Sequence, residues 1–192
     1  MAKDTQISLA LRPHDEKTSS LTTTMVAIEH VFALSEADRA LFKQAFNEDY
    51  VISTAETVFC PQGGGQQSDS GVTTSTKSND AASFDVSNVR TGSYGRILHL
   101  GRFNSSDLPK LTTGDTVKQA IDTAKHDLKC RFHTGGHIVG LAVRHLAESI
   151  PDVEELKAQY YSDAAFIEFR GFIDGKHKAA KRKWCHCARQ YG

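Results

Sequence analysis

The sequence predicts an α+β protein: a small β-barrel-like domain followed by an α+β domain built around one long helix. Two observations predict it. Short β-prone runs separated by turn signals fill residues 50–120, and after the Thr113, Gly114, Asp115 turn the apolar residues change to spacings of three and four. A third observation bounds the size, since 192 residues suffice for one large or two small domains with cores of their own.

Taken in order, residues 1–24 are rich in Thr, Ser and charge and are expected to carry little fixed structure. A short helix is predicted over 36–46, with Ser35 as N-cap and Leu41, Phe42, Ala45 and Phe46 as its apolar face. Residues 50–52 and 56–60 read as strands, followed by a glycine-rich loop over 61–71 and a β-prone run over 72–76. Phe84, Val86 and Val89 mark a strand over 83–90, residues 91–95 a turn, and 96–100 the returning strand of a hairpin. Such a series of short strands suggests a small barrel or sandwich. Beyond it Leu128, Phe132, Gly135, Val139, Ala142 and Leu146 fall on one face of a helix, with Asp122 as N-cap and Ile150, Pro151 as its stop. A short helix over 153–158 and a strand over 165–169 follow, and no period survives after Gly175. The expected organisation is a disordered segment 1–24, a barrel-like domain 25–115, a partial α+β domain 116–178 and a basic tail 179–192.

Charge and composition exclude some classes. Lys plus Arg and Asp plus Glu are 23 each, so the net charge makes no bulk case for nucleic acid. Six of the basic residues stand in 176–192, where there is no acid, and such a segment either adds affinity for phosphates or is a solvated terminus. Lys3, Asp4 and Gln6 precede any apolar run, and no stretch of 18 apolar residues occurs, so neither a signal peptide nor a membrane span is expected. Cys60, Cys130, Cys185 and Cys187 are then expected to be reduced thiols in a cytoplasmic setting.

Two stretches carry chemistry. In His133, Thr134, Gly135, Gly136, His137 the histidines stand at i and i+4, with Cβ atoms about 5–6 Å apart, so both imidazoles can reach one metal ion or simply pack. Thr134 occupies the place where a zinc protease has its glutamate, which disfavours that class. The two glycines each weaken the helix by about 1 kcal/mol and leave room for a ligand or another backbone, unless the helix merely begins near Thr134. The second stretch, residues 61–71, contains Gly63, Gly64 and Gly65, whose backbone could approach a ligand closely or form a hairpin connection. It lacks the Gly-Lys-Ser/Thr ending of a P-loop.

Together the stretches 59–71, Phe-x-Pro-x-Gly-Gly-Gly-Gln-x-Ser-Asp-x-Gly, and 131–137, Arg-x-His-Thr-x-x-His, resemble the alanyl-tRNA editing family. Gly101, Gly114 with Asp115, and Ile121 with Asp122 are similar too, and the resemblance covers residues 45–178. It implies a barrel-like domain bearing the glycine loop, then an editing domain of the threonyl/alanyl-tRNA synthetase type. It also implies zinc-dependent hydrolysis of the ester of mischarged, seryl- or glycyl-, alanine tRNA, with the acceptor end of that tRNA as partner. His133 and His137 would be zinc ligands, and Thr134 and Gln66 catalytic. Gly63, Gly64, Gly65, Gln66, Ser68 and Asp69 would bind substrate.

Family members add a later Cys-x-x-x-His pair. Cys185 and Cys187 lack it, since Arg189 and Tyr191 stand four residues on. A C-terminally truncated editing domain is therefore expected, with zinc incompletely ligated unless His177, Cys185, His186 or Cys187 completes the set. The alternative reading is an inactive tRNA-acceptor binding module or a fragment.

Overall fold

The computed structural model describes residues 9–10, 19–77, 82–104, 111–147 and 154–171. The chain divides into two compact units, Met1–His126 and Asp127–Gly192. In the first unit lie β1 (Leu9–Ala10), β2 (Ser20–His30), β3 (Tyr50–Thr54), β4 (Glu56–Thr57), β5 (Gly71–Ser75), β6 (Ser83–Thr91), β7 (Ile97–Phe103) and β8 (Thr116–Ile121). Six of them close into an antiparallel barrel in the order β2-β3-β7-β6-β5-β8. Closure removes the sheet edges that would otherwise attract other chains.

Sequence reasoning missed β1, β8 and, most consequentially, β2. Residues 20–24, expected to carry little structure, form the first half of β2 and pair with β8, while Ala27 to His30 pair with β3. Its pattern is nonetheless a strand pattern: Thr23 and Met25 are buried while Ser20, Thr22 and Thr24 are exposed. A threonine run reads as polar composition but packs well on a pleated surface.

Inside the barrel, Met25, Ile52, Phe59, Phe84, Val89 and Val117 form the apolar core. Thr54, Thr57, His99 and Gln119 thread it, each with a partner, whereas the buried Thr73 hydroxyl has none among the described residues. His99 Nδ1 lies 3.1 Å from the Ile52 carbonyl, which can only accept, so Nδ1 carries the proton. Nε2 then accepts from the Thr57 hydroxyl at 2.8 Å, and that oxygen accepts from Phe59 N–H at 3.1 Å. Gln119 donates to Thr54 Oγ1 at 3.0 Å and accepts from Val58 N–H at 3.1 Å. These bonds pin residues 54–59, the segment that leads into the glycine loop. Gly101 lies where β6 bulges, and a Cβ there would overlap the Asp85 carbonyl.

The predicted helix over 36–46 is only one turn, α1 (Glu36–Arg39). Ser35 caps it as expected, accepting from Asp38 N–H at 3.2 Å. Beyond it Leu41, Phe42 and Ala45 donate to carbonyls three residues back, so tight turns replace the helix and Phe46 is left 60% exposed.

The long helix α2 (Thr123–Ala147) begins where Asp122 was expected to cap it, with Lys125 N–H on Asp122 Oδ1 at 3.1 Å. In the second unit β9 (Glu154–Gln159) and β10 (Phe166–Arg170) form an antiparallel hairpin. The helix predicted over 153–158 is thus a strand. Glu154, Leu156, Lys157 and Ala158 are good helix formers, but pairing with β10, the Glu154–Arg170 ion pair and Lys157 over the Phe166 ring override that propensity. The expected helix stop at Ile150 and Pro151, residues 172–178 and the basic tail lie outside the described residues. Among those described, no helix is long and apolar enough to cross a membrane.

Burial lowers the His99 pKa from 6.5 to about 4, the Ile52 bond opposing it. The unfolded chain therefore binds the extra proton between those values, and the stabilising contribution is complete above pH 6.5 and lost as pH falls towards 4. Wild type should lose on the order of 3 kcal/mol more than His99→Gln between pH 7 and pH 4, measured by urea unfolding.

Candidate functional site

The glycine loop is a tied-down hairpin. Gly63 and Gln66 exchange backbone hydrogen bonds of 3.3 and 2.9 Å, enclosing Gly64 at φ 57° and Gly65 at φ 79°. Two left-handed central residues make a type I′ turn, which side chains other than Gly, Asn or Asp disfavour. A Cβ on Gly63 or Gly64 would meet nothing within 4 Å, so it is backbone conformation at 64 and 65 that demands glycine. The hairpin connection considered from composition is thus present, as an ordered turn. Gly71, at the loop's end, answers a different need: a Cβ there would overlap the Ala120 carbonyl on β8.

The hairpin is fastened to β6 and to itself. Val89 N–H donates to Ser68 Oγ at 3.0 Å, and the Val89 carbonyl accepts from Gln62 N–H at 2.9 Å. Asp69, 1% exposed, accepts from Cys60 N–H through Oδ2 at 2.9 Å, while its own N–H donates to the Cys60 carbonyl at 2.9 Å. Its Oδ1 lies 2.9 Å from Nδ1 of His126, in the first turn of α2. Ser70 accepts from Asp122 N–H at 2.8 Å, which ties the end of the loop to the residue capping the same helix. Of the residues expected to bind substrate, Ser68 and Asp69 are therefore engaged inside the barrel unit. Gly63 and Gly64 are exposed at the tip, Gly65 is half-buried and Gln66 buried. Sequence reasoning had no signal for His126, a lone histidine.

In the second unit the histidine pair converges as its spacing predicts. His133 Nε2 and His137 Nε2 are 2.9 Å apart, so one ring donates and the other accepts. Burial, followed by the nearby His137, lowers the His133 pKa below its ordinary value. That favours the neutral form, in which a ring nitrogen can bind a metal. Thr134 is on an exposed part of the helix.

The covered face of α2 overlaps the expected one only in part, since Phe132 and Gly135 are partly covered. Leu128 and Val139 are 45% and 44% exposed, Ala142 is also exposed, and the side chain of Leu146 lies outside the described residues. His133, Gly136, Gly140 and Val143 are covered or partly covered instead. The glycines account for the change. A Cβ at Gly136 would overlap the ring of Tyr160, and one at Gly140 would come within 2.8 Å of the Glu155 carboxyl, so their absence lets the hairpin lie against this face. The room anticipated at Gly136 is filled by Tyr160, whereas a Cβ at Gly135 would meet nothing within 4 Å. Tyr160 was not singled out from sequence; a tyrosine after a strand carries no motif.

Imidazole nitrogens are suitable zinc donors, and two corners of a tetrahedral zinc site lie about 3.3 Å apart, a few tenths of an ångström wider than this pair. The donor chemistry fits two positions of such a site. Among the described residues no group of three or more His, Cys, Asp or Glu could hold a metal. His177, Cys185, His186 and Cys187 lie outside them.

No protein-family model matches the chain. It is similar to the alanyl-tRNA editing protein AlaX-L of Pyrococcus horikoshii, 30% identical over 142 residues that make up 73% of this chain and 32% of that protein. It is also similar to an alanine–tRNA ligase of Clostridioides difficile, 31% identical over 110 residues, or 57% of this chain and 12% of the ligase. With the mitochondrial alanine–tRNA ligase of Drosophila melanogaster it shares 28% identity over 121 residues, 61% of this chain and 12% of the ligase. The chain thus spans about a third or less of the length of these relatives.

The two kinds of glycine separate in the hairpin. Gly64→Val should lower stability by about 1–2 kcal/mol while the barrel stays folded, because a β-branched residue is forced into the left-handed region. Gly63→Ala should stay within about 0.5 kcal/mol of wild type. Urea midpoints of both variants, with unchanged slopes, check this.

Proposed function

We propose that this chain, a relative by sequence of the alanyl-tRNA editing proteins and alanine–tRNA ligases, is an aminoacyl-tRNA editing hydrolase. Its substrate on this reading is alanine tRNA wrongly charged with serine or glycine, and the bond broken is the ester at the 3′ end. The observation that carries the reading is the convergence of two ring nitrogens within 2.9 Å on one helix, in a chain with this kinship. The second unit is on this view a domain of the threonyl/alanyl-tRNA synthetase editing type.

His133 and His137 would supply two ligands of a zinc ion, the others coming from water, substrate or residues outside the described part. Zinc would polarise the ester carbonyl or acidify a bound water. The hairpin tip offers backbone at Gly63, Gly64 and Gly65, with Gln66 beside them, for the acceptor end. Ser68 and Asp69 act by holding that tip in shape. Thr134, exposed next to the first histidine, is available to the amino-acid moiety. An aminoacyl ester is already activated, so positioning it and a water supplies much of the acceleration.

Ester loss from seryl- and glycyl-alanine tRNA in zinc-supplemented buffer tests the proposal. Turnover above the uncatalysed rate is expected, falling at least about a hundredfold in His133→Ala and in His137→Ala while circular dichroism is unchanged. Equal turnover in wild type and in the double variant would contradict the metal role. No turnover of either ester by the zinc-supplemented wild type would contradict the activity.

A further inference from the structure

We propose that Tyr160 is a positioning residue that sets the His133 and His137 rings in register for one metal ion, in the space that Gly136 leaves open. The inference rests on reading the histidines as metal ligands.

The ring of Tyr160 meets both imidazoles. Its centroid is 5.2 Å from that of His133 and 5.4 Å from that of His137, and the two imidazoles are 4.6 Å apart, so the three rings form one cluster. Tyr160 is 5% exposed and immediately follows β9, whose pairing with β10 fixes its backbone. It reaches this place only because position 136 has no side chain: a Cβ there would overlap Cε1 and Cδ1 of the ring. The glycine therefore exchanges helix propensity, about 1 kcal/mol, for an aromatic wall over the face that carries the histidines.

The consequence is conformational. A histidine on an open helix surface samples up to three χ1 wells and a broad, two-fold χ2. Few combinations of two such rings bring both Nε2 atoms to one point. A ring wedged against both removes most of the others before any ligand arrives. Losing a neighbour that orients a metal-binding histidine typically weakens metal affinity by about 10- to 100-fold, and an apolar wall belongs at the lower end.

Cobalt(II), followed by its visible absorption, is the probe, and the metal-free state is read from ring-nitrogen NMR shifts of His133 and His137. Tyr160→Phe should bind cobalt within about twofold of wild type, because the ring and not the hydroxyl does the positioning. Tyr160→Ala and Gly136→Ala should each weaken binding about tenfold, and the double variant no more than Tyr160→Ala alone, since the added Cβ then has no ring to displace. Without metal, Tyr160→Ala should merge the distinct donor and acceptor nitrogen signals of the pair. Tyr160→Leu, which keeps apolar volume, replaces Tyr160→Ala should that variant not fold, with the same expected loss. Wild-type affinity and wild-type ring shifts in the Tyr160 variants, or additive losses in the double variant, would overturn the positioning role alone. Cobalt binding as tight in His133→Ala as in wild type would overturn the metal reading and this inference with it.

Discussion

The Asp69 carboxyl group holds together everything the barrel presents. It is buried at the base of the glycine hairpin, with one oxygen on the Cys60 N–H and the other on the His126 ring. Leaving a buried donor without an acceptor costs about 1–3 kcal/mol, comparable with the conformational preference of the two left-handed glycines above it. The hairpin is thus fixed from below by hydrogen bonds and from above by backbone geometry. Its neighbours are fixed in turn. The threonine, histidine and glutamine network inside the barrel fastens residues 54–59, and Val89 of β6 holds the two arms through Gln62 and Ser68. Nothing in this arrangement resembles a loose connection, which is why the exposed tip can serve as a shaped surface.

Glycine is used in two physically different ways. At 64 and 65 it permits a backbone conformation, while at 71, 101 and 136 it permits approach, with carbonyl oxygens or an aromatic ring standing where a Cβ would be. The second use joins sequence to chemistry in the helix. Without a side chain at 136 the tyrosine can lie against both imidazoles, and partial burial together with the neighbouring ring keeps His133 inclined to its neutral form. Neutral, converging, restrained imidazoles are what a zinc ion needs from its ligands.

Much of the barrel was legible because its signals are local. Alternation at Phe84 and Val86, a turn at 91–95, the cap at Ser35 and the cap at Asp122 each depend on neighbours in sequence and appear where expected. What failed depends on partners outside the segment itself, near or far along the chain. Residues 20–24 look like polar filler until β8 pairs with them, and residues 154–158 look helical until β10 does. The apolar stripe of α2 misled for a related reason: periodicity identifies the apolar face, but the neighbouring hairpin lies against the glycines instead. The proximity of His133 and His137 was readable from the helical repeat alone. Tyr160 was not, because its place follows from a strand pairing and from the absence of a side chain on another element.

The central claim is that these two imidazoles form part of a metal site, and zinc-edge anomalous diffraction from crystals of the zinc-loaded protein tests it most directly. The account predicts one peak about 2.0–2.1 Å from Nε2 of both His133 and His137, with the Tyr160 ring still against Gly136. A peak bound to neither ring, or two peaks each on a single histidine, would contradict it.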